Sequence, residues 1–403
     1  MKIFKRNSFA CAVLTMAALA GTDAATAADA LAVGQLKVLH TFTGDTDGRQ
    51  PYAGLLLAKD SHLYGTTSIG GTGGGGTLFR ITRAGELTTL FQFSGYVYAD
   101  TGSTPNATLI EGRDGNLYGT TVYGGTSSGT VFRMTKAGQE TVLHVFNGVA
   151  DGQNPWGGLV QDTDGSLYGT TLWGGGPSGY GTFFKVDASG NESVVYACPP
   201  SSSSTPGNPV GGLVQARGGA LFGTSSSGGA MGAGGVVKIA KNGQLSVLAS
   251  FDGVDNGDPG ANLIQGEDGA FYGTTRELFT GTGSVFKVSK AGVVKTLHKF
   301  LGGDEGSNPY YAGLVETAPG VFYGVTAYGG LGTCTDGIGS GCGTLFRVTA
   351  KGEFETLYRF TGGADGGIPM GTLVADDDGV LYGTTIQGGT GAGVVFKYRP
   401  QRP

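Results

Sequence analysis

At 403 residues the chain is long enough for two or three domains, yet it carries 80 glycines and only 14% charged residues. Aromatics at 10% and β-branched residues at recurring places supply a core, so the glycine reads as turns and close-packed strands rather than disorder. A formal charge of −5, with no basic cluster in the body of the chain, excludes a general nucleic-acid binder, which needs a basic face for phosphates.

The first segment stands apart. "MKIFKRNSFACAVLTMAALAGTDAATAADA" has a basic start (Lys2, Lys5, Arg6), an apolar stretch over Phe9 to Ala20 and then small residues. It reads as a secretory signal peptide over residues 1–27, cleaved after Ala27 or, alternatively, after Ala20; the apolar run is too short to span a bilayer. Neither junction carries a cysteine, which argues against a lipoprotein anchor, and no second apolar run of membrane length follows. The remaining chain, 28–403, keeps 23 basic and 30 acidic residues, a charge of −7. The expectation is an exported protein, secreted or periplasmic, soluble after cleavage.

Next comes "VGQLKVLHTF" (33–42), a strand-like piece that precedes any complete repeat and matches 137–146 and 242–251 further on. The repeat itself is marked by the phrase "LYGTT" and its variants. Its aromatic falls at Tyr64, Tyr118, Tyr168, Phe222, Tyr272, Tyr323 and Tyr382, with spacings of 54, 50, 54, 50, 51 and 59 residues. A period in this range signals stacked supersecondary units. The third unit shows four strand segments: "GGLVQ", "SLYGTT", "GTFFKV" and "ESVVYA". Hairpin signals "DTDG" and "DASGN" separate the first pair and the last pair.

Strands apolar on both faces must be covered on both sides, and four strands per period of about fifty residues match propeller arithmetic. The fold class predicted is all-β, a single seven-bladed β-propeller of four-stranded antiparallel blades. The glycine inside "LYGTT" is expected to let an adjacent blade approach closely. The chain stops after a third strand, "GVVFKYRPQRP", so Leu36–Phe42 is predicted to supply the missing outer strand beside Val394–Tyr398.

Of four cysteines, Cys11 lies in the signal segment. Cys334 and Cys342 flank the insert "CTDGIGSGC", and in an oxidising compartment a disulfide clipping this surface insert is expected. Cys198 reads as a buried free thiol.

The phrase "F-x-G-x-x-D-G-x-x-P-x-x-G-L", followed by "D-G-x-L-Y-G-T-T-x-x-G-G" and "G-T-V-F-K", resembles the GloVer tandem-repeat family of exported bacterial proteins over about residues 34–398. The resemblance implies export and a propeller-like repeat; it implies no assigned activity.

Candidate ligand contacts gather where the crossings between blades and the loops between second and third strands share a face. The residue after each crossing proline varies: Tyr52, Asn106, Trp156, Val210, Gly260, Tyr310 and Met370. Trp156 and Trp173 crowd the third repeat, with Tyr52, Tyr123, Tyr310, Tyr311 and Tyr328 elsewhere. Exposed aromatics beside glycine suit stacking on sugar rings or gripping a peptide, while the plainer reading is that they fill gaps between blades.

Carboxylates recur before the first hairpin glycine (Asp114, Asp164, Asp268, Asp378) and in the crossings (Asp47, Asp151, Glu305, Asp365, with Asn256 in the fifth unit). Both sets read as turn formers. "DTDG" and "DDDG" suggest calcium only weakly, since the other ligands of a twelve-residue loop are missing, and no metal site or other cofactor is assigned. His40, His144 and His298 share an outer-strand slot that elsewhere holds Phe91 or Ala249, which argues against catalysis, and His62 sits in a turn. No nucleophile elbow, metal triad or phosphate loop is legible, so no catalytic residue is named.

Three functions stay open. The first is a binding module for an extracellular or periplasmic glycan, peptide or protein; the second is a structural or assembly propeller; the third is a polysaccharide-acting hydrolase or lyase. A deep acidic funnel would favour catalysis, an aromatic shelf binding, and a flat Gly/Ser surface scaffolding.

Overall fold

Seven antiparallel sheets of four strands each make up the computed structural model of the protein. It describes residues 31–401 apart from 96–99, 177–178, 200–204, 206, 241–242, 255 and 277–281. The expected signal segment lies outside the described residues, as does most of the loop "RELFTG". Among the described residues no helix is long and apolar enough to cross a membrane.

The second blade shows the pattern. A two-residue inner strand, Ile110–Glu111, precedes Leu117–Thr121, Thr130–Met134 and the outer strand Glu140–Val145. Strands two and three are buried on both faces, as their apolar sequences require, and the outer strand is only partly buried, with Thr141 and Val145 exposed. In the seventh blade Val374–Ala375, Leu381–Thr385 and Val394–Tyr398 are completed by Leu36–Thr41 from the start of the chain. Leu36 pairs with Tyr398 and Thr41 with Val394, and the Phe42 amide extends the ladder to the Gly393 carbonyl at 3.0 Å. The ring closes as the two incomplete ends predict.

Each residue of the repeated phrase has a structural task. The tyrosine is buried and in four blades donates its hydroxyl to a hairpin aspartate, as Tyr118 does to Asp114 at 2.9 Å. In six blades the first hydroxyl residue of "TT" or "TS" donates to a carbonyl at the start of the next blade; Thr384 reaches Ala53 across the closure at 2.9 Å. The second pairs across the sheet with a Thr or Ser at or near the start of strand three in five blades. The glycine does something other than expected. A Cβ at Gly119 would lie 2.6 Å from Phe132 Cζ and 2.7 Å from Leu109 Cδ2, so the ring that occupies its space belongs to its own blade. Phe132 is its cross-strand partner and folds over the bare backbone.

The core is seven clusters, one at each junction between blades. Six contain a phenylalanine from the end of one outer strand against a phenylalanine from strand three of the next blade, such as Phe93 and Phe132 at 5.4 Å. At the junction of blades three and four, Cys198 and Val237 replace both partners. Cys198 is therefore a small core residue; burial pushes its thiol pKa up to about 12, which keeps it protonated and unreactive. Cys334 and Cys342 form the expected disulfide. The bridge does more than clip a surface loop, because Cys342 is fully buried and ties the insert to the core between blades six and seven.

A further seven-fold feature had no sequence signal strong enough to read. The residue before each crossing proline (Gln50, Thr104, Asn154, Asn208, Asp258, Asn308 and Ile368) has φ between 50° and 59°. That region is costly for a non-glycine residue, most of all for the β-branched Ile368. Each is held twice: its N–H reaches the preceding blade and its carbonyl accepts from the end of its own blade's second strand. For Asn154 the partners are the Ser128 carbonyl and the Leu172 amide. This pins the start of every inner strand, and with it the mouth of the ring.

Candidate functional site

Because every inner strand starts from the same clamped backbone, one residue per blade is delivered to the mouth of the axial channel. These are Tyr52, Asn106, Trp156, Val210, Gly260, Tyr311 and Met370. In blade six the residue is Tyr311 rather than Tyr310. "NPYYAGL" carries one residue more than "NPWGGL", and counting back three from the inner-strand leucine (Leu314, Leu159) aligns Tyr311 with Trp156. The extra residue, Tyr310, turns away into a packed cluster with φ of 22°.

The channel that these residues line is nearly shut. It encloses about 30 Å³, room for roughly one or two waters. Glycines bring the inner backbones together, and three polar side chains satisfy their amides: Thr108 accepts from Gly54, Asn262 from Gly212 and Thr372 from Gly313, at 3.1, 2.5 and 2.8 Å. The mouth is therefore a shallow dish. No carboxylate is among the described residues that line it.

Two aromatics from distant blades meet there. The rings of Trp156 and Tyr311 lie 5.5 Å apart, tilted by 45°. Tyr311 is held from behind: it contacts Tyr310 edge-on at 4.5 Å, and the Arg276 guanidinium sits 5.7 Å from both tyrosine rings. Arg276 is anchored on Asp258 at 2.9 Å, and its stem fills the space above Gly260. Burial drives the Tyr311 phenol well above its ordinary pKa, so the ring is neutral at any physiological pH.

The remaining aromatic candidates are placed as follows. Tyr52 lines the mouth and packs on the cluster that holds Tyr310 and Tyr328. Tyr310 and Tyr328 are 9% and 1% exposed, and Tyr328 donates to Asp336 in the disulfide-bounded insert at 2.7 Å. Tyr123 and Trp173 are 40% and 45% exposed on their loops and do not line the mouth. The structure thus brings Trp156, Tyr52 and Tyr311 together and leaves Trp173 and Tyr123 outside.

The acidic sets are occupied as turn formers. Asp114 accepts from Asn116 and Tyr118; burial acts to raise its pKa, and these hydrogen bonds outweigh it and hold the carboxyl below its usual range. Asp162 and Asp164 of "DTDG" accept from Thr163 and Ser166 amides in the same way. Crossing carboxylates receive the outer-strand slot: His40 to Asp47, His144 to Asp151, His298 to Glu305 and Tyr358 to Asp365, all at 3.0–3.1 Å. Sequence reading missed Arg276, Asp258, Asn262 and the exchange of Tyr311 for Tyr310. Alignment on the inner-strand leucine would have found the last. Arg276 is the one charged residue in a slot that elsewhere reads Ser68, Val122, Leu172, Ser226, Ala327 and Ile386.

The Gloeobacter/Verrucomicrobia repeat matches residues 27–218 and 200–396. The chain belongs to this family. No curated protein matches it in sequence. Among solved structures it resembles the extracellular domain of what is described as a hybrid two-component system from B. thetaiotaomicron, at 16% identity and TM-score 0.55, over 92% of this chain and 43% of that one. A puromycin hydrolase is similar at 15% identity and TM-score 0.51, over 85% and 52%. A gluconolactonase from Xanthomonas campestris is similar at 12% identity and TM-score 0.43, over 91% and 89%. This chain spans about half the length of the first two. At such identities the first two speak for the propeller fold alone.

Proposed function

We propose that this member of the Gloeobacter/Verrucomicrobia repeat family is an exported binding module whose ring mouth takes an uncharged ligand with a flat apolar face, foremost the sugar rings of an extracellular or periplasmic glycan. The observation that carries this reading is the Trp156–Tyr311 pair, flanked by Tyr52 and by the amides of Asn106 and Asn262, in a dish with no carboxylate among its described lining residues. Aromatic faces stack on the C–H faces of sugars and amides take their hydroxyls, which is the usual chemistry of an apolar site with few polar groups. The hydrolase reading needs two carboxyl groups flanking the scissile bond, and none is among the described residues that line the mouth.

The protein has two tryptophans, so Trp173→Phe leaves Trp156 as the sole reporter at the mouth. Titrating that variant with a glycan panel should change its fluorescence for at least one member. Trp156→Ala should then weaken binding at least tenfold, a loss of about 1.4 kcal/mol or more, with the ring still folding cooperatively. A ligand that binds Trp156→Ala like wild type places the site elsewhere. No response to any glycan, peptide or partner would leave the assembly reading standing.

A further inference from the structure

The histidine–carboxylate pair on the outer rim occurs at three crossings, and one of the three differs. Beside His40–Asp47 the next blade's outer strand opens with Leu87, and beside His298–Glu305 it opens with Phe354, whose ring stacks on His298 at 3.7 Å. Beside His144–Asp151 the same strand position is Glu192. A histidine nitrogen and one oxygen from each carboxylate lie within 4.8 Å of one another. Glu192 Oε1 is buried and accepts no hydrogen bond. A carboxyl oxygen has thus been placed where the other two junctions put an apolar side chain, facing a pair already complete without it.

We propose that His144, Asp151 and Glu192 form a site for a divalent first-row transition ion of the zinc type, which ties the second blade to the third. One imidazole and two carboxylates are a mixed nitrogen and oxygen donor set, which suits zinc and its neighbours; calcium and magnesium prefer all-oxygen shells. Ligands about 2.0–2.2 Å from one zinc ion stand roughly 3–3.5 Å from each other. His144 Nε2 and Asp151 Oδ2, at 3.0 Å, already have that spacing, and Glu192 closes on them by turning its side chain. The Asn147 amide donates to both Asp151 oxygens at 3.0 and 3.2 Å and fixes that carboxylate from behind, the support a metal ligand needs. A water completes four-coordination. Glu140, the matching residue one blade earlier, also has a buried oxygen without a partner, but it belongs to no such three-ligand group among the described residues, and so serves as an internal control.

The test is calorimetric titration of the tag-free, metal-stripped full-length chain with Zn²⁺, with Co²⁺ absorption reporting the ligand geometry. The expected result is one equivalent bound per chain and a Co²⁺ spectrum of four- or five-coordinate type. Glu192→Leu and His144→Phe, residues that other blades carry at these positions, should each weaken binding by at least the roughly 10–100-fold that loss of an outer-shell partner costs. His40→Phe and Glu140→Gln should bind as wild type. Circular dichroism confirms that each variant is folded before it is compared. Absence of zinc uptake at millimolar zinc overturns the proposal. So does uptake unchanged by Glu192→Leu, or lost equally in His40→Phe.

Discussion

The repeated phrase and the ring mouth are built on one backbone, and they use their side chains in opposite ways. Around the ring, "LYGTT" spends every residue on the blade: tyrosine on a hairpin aspartate, glycine under a phenylalanine, one hydroxyl on the next blade and one across the sheet. Six of the seven junctions repeat the same phenylalanine contact. At the mouth the seven equivalent positions hold Tyr, Asn, Trp, Val, Gly, Tyr and Met, and no two neighbours agree. An eighth apolar cluster, of Tyr310, Tyr328, Ile368, Met370 and Ile386 with Tyr52 and Tyr311 against it, supports one side of that mouth without a counterpart at the other blades among the described residues. Sameness marks what the fold requires, and difference marks where it is free to do something else.

The hardest break in this comparison is at the closure. Removing residues 28–43 deletes the outer strand of the seventh blade and Phe42, which packs edge-on against Phe79 at 5.3 Å. An open sheet edge and half a core junction remain. The expected outcome is loss of a single cooperative thermal transition, with aggregation; calorimetry showing an unfolding transition like the intact chain's would refute closure as the ring's clasp.

A smaller and cleaner contrast sets the phrase against the mouth. Gly119→Ala forces a methyl into Phe132 and Leu109, both fully or almost fully buried, and should cost about 1–3 kcal/mol in urea unfolding. Trp156→Ala removes a far larger side chain from a position that other blades fill with Val210 or Gly260, and should cost less stability than the added methyl. The reverse order would mean that the mouth aromatics are core after all.

How much of this was legible beforehand follows the same division. Blade number, strand order and closure could be read because they rest on periodicity and on two ends that complete each other. The disulfide could be read from two cysteines that bound a short insert, together with the expectation of export. The mouth was only half legible. Trp156 and Tyr52 stood out as aromatics after proline, but the one-residue insertion at Tyr310 moved the contact to Tyr311. Arg276 touches that site through folding alone, far from Trp156 in sequence. The left-handed residue before each proline leaves a trace in Asn154, Asn208, Asp258 and Asn308, side chains that tolerate it, but Gln50, Thr104 and Ile368 hide the rule. Glu192 meets His144 across a blade junction, which no local spacing predicts.

The smallest expected effect lies where a rim position departs from its own repeat. Five outer strands open with Leu36, Leu87, Leu245, Val294 or Phe354, and the second blade opens with Glu140. Burial raises the Glu140 carboxyl from 4.5 to about 8 in the folded protein. A raised folded pKa means that the native state holds a proton the unfolded chain releases. The group's contribution is therefore most favourable below about pH 4.5, declines as pH climbs, and levels off once pH passes 8. Glu140→Leu removes this titration and restores the residue found in three other blades. Its melting temperature should exceed that of wild type by about 2 °C or more at pH 9, with the gap narrowing steadily towards pH 5. A gap that is constant across this range would show that Glu140 ionises in the folded state as freely as in the unfolded one, and that its side chain reaches solvent. A gap that holds constant down to pH 5 and widens only below about pH 4.5 would show instead that a cation meets the carboxylate, making this rim position a second place where difference serves a purpose.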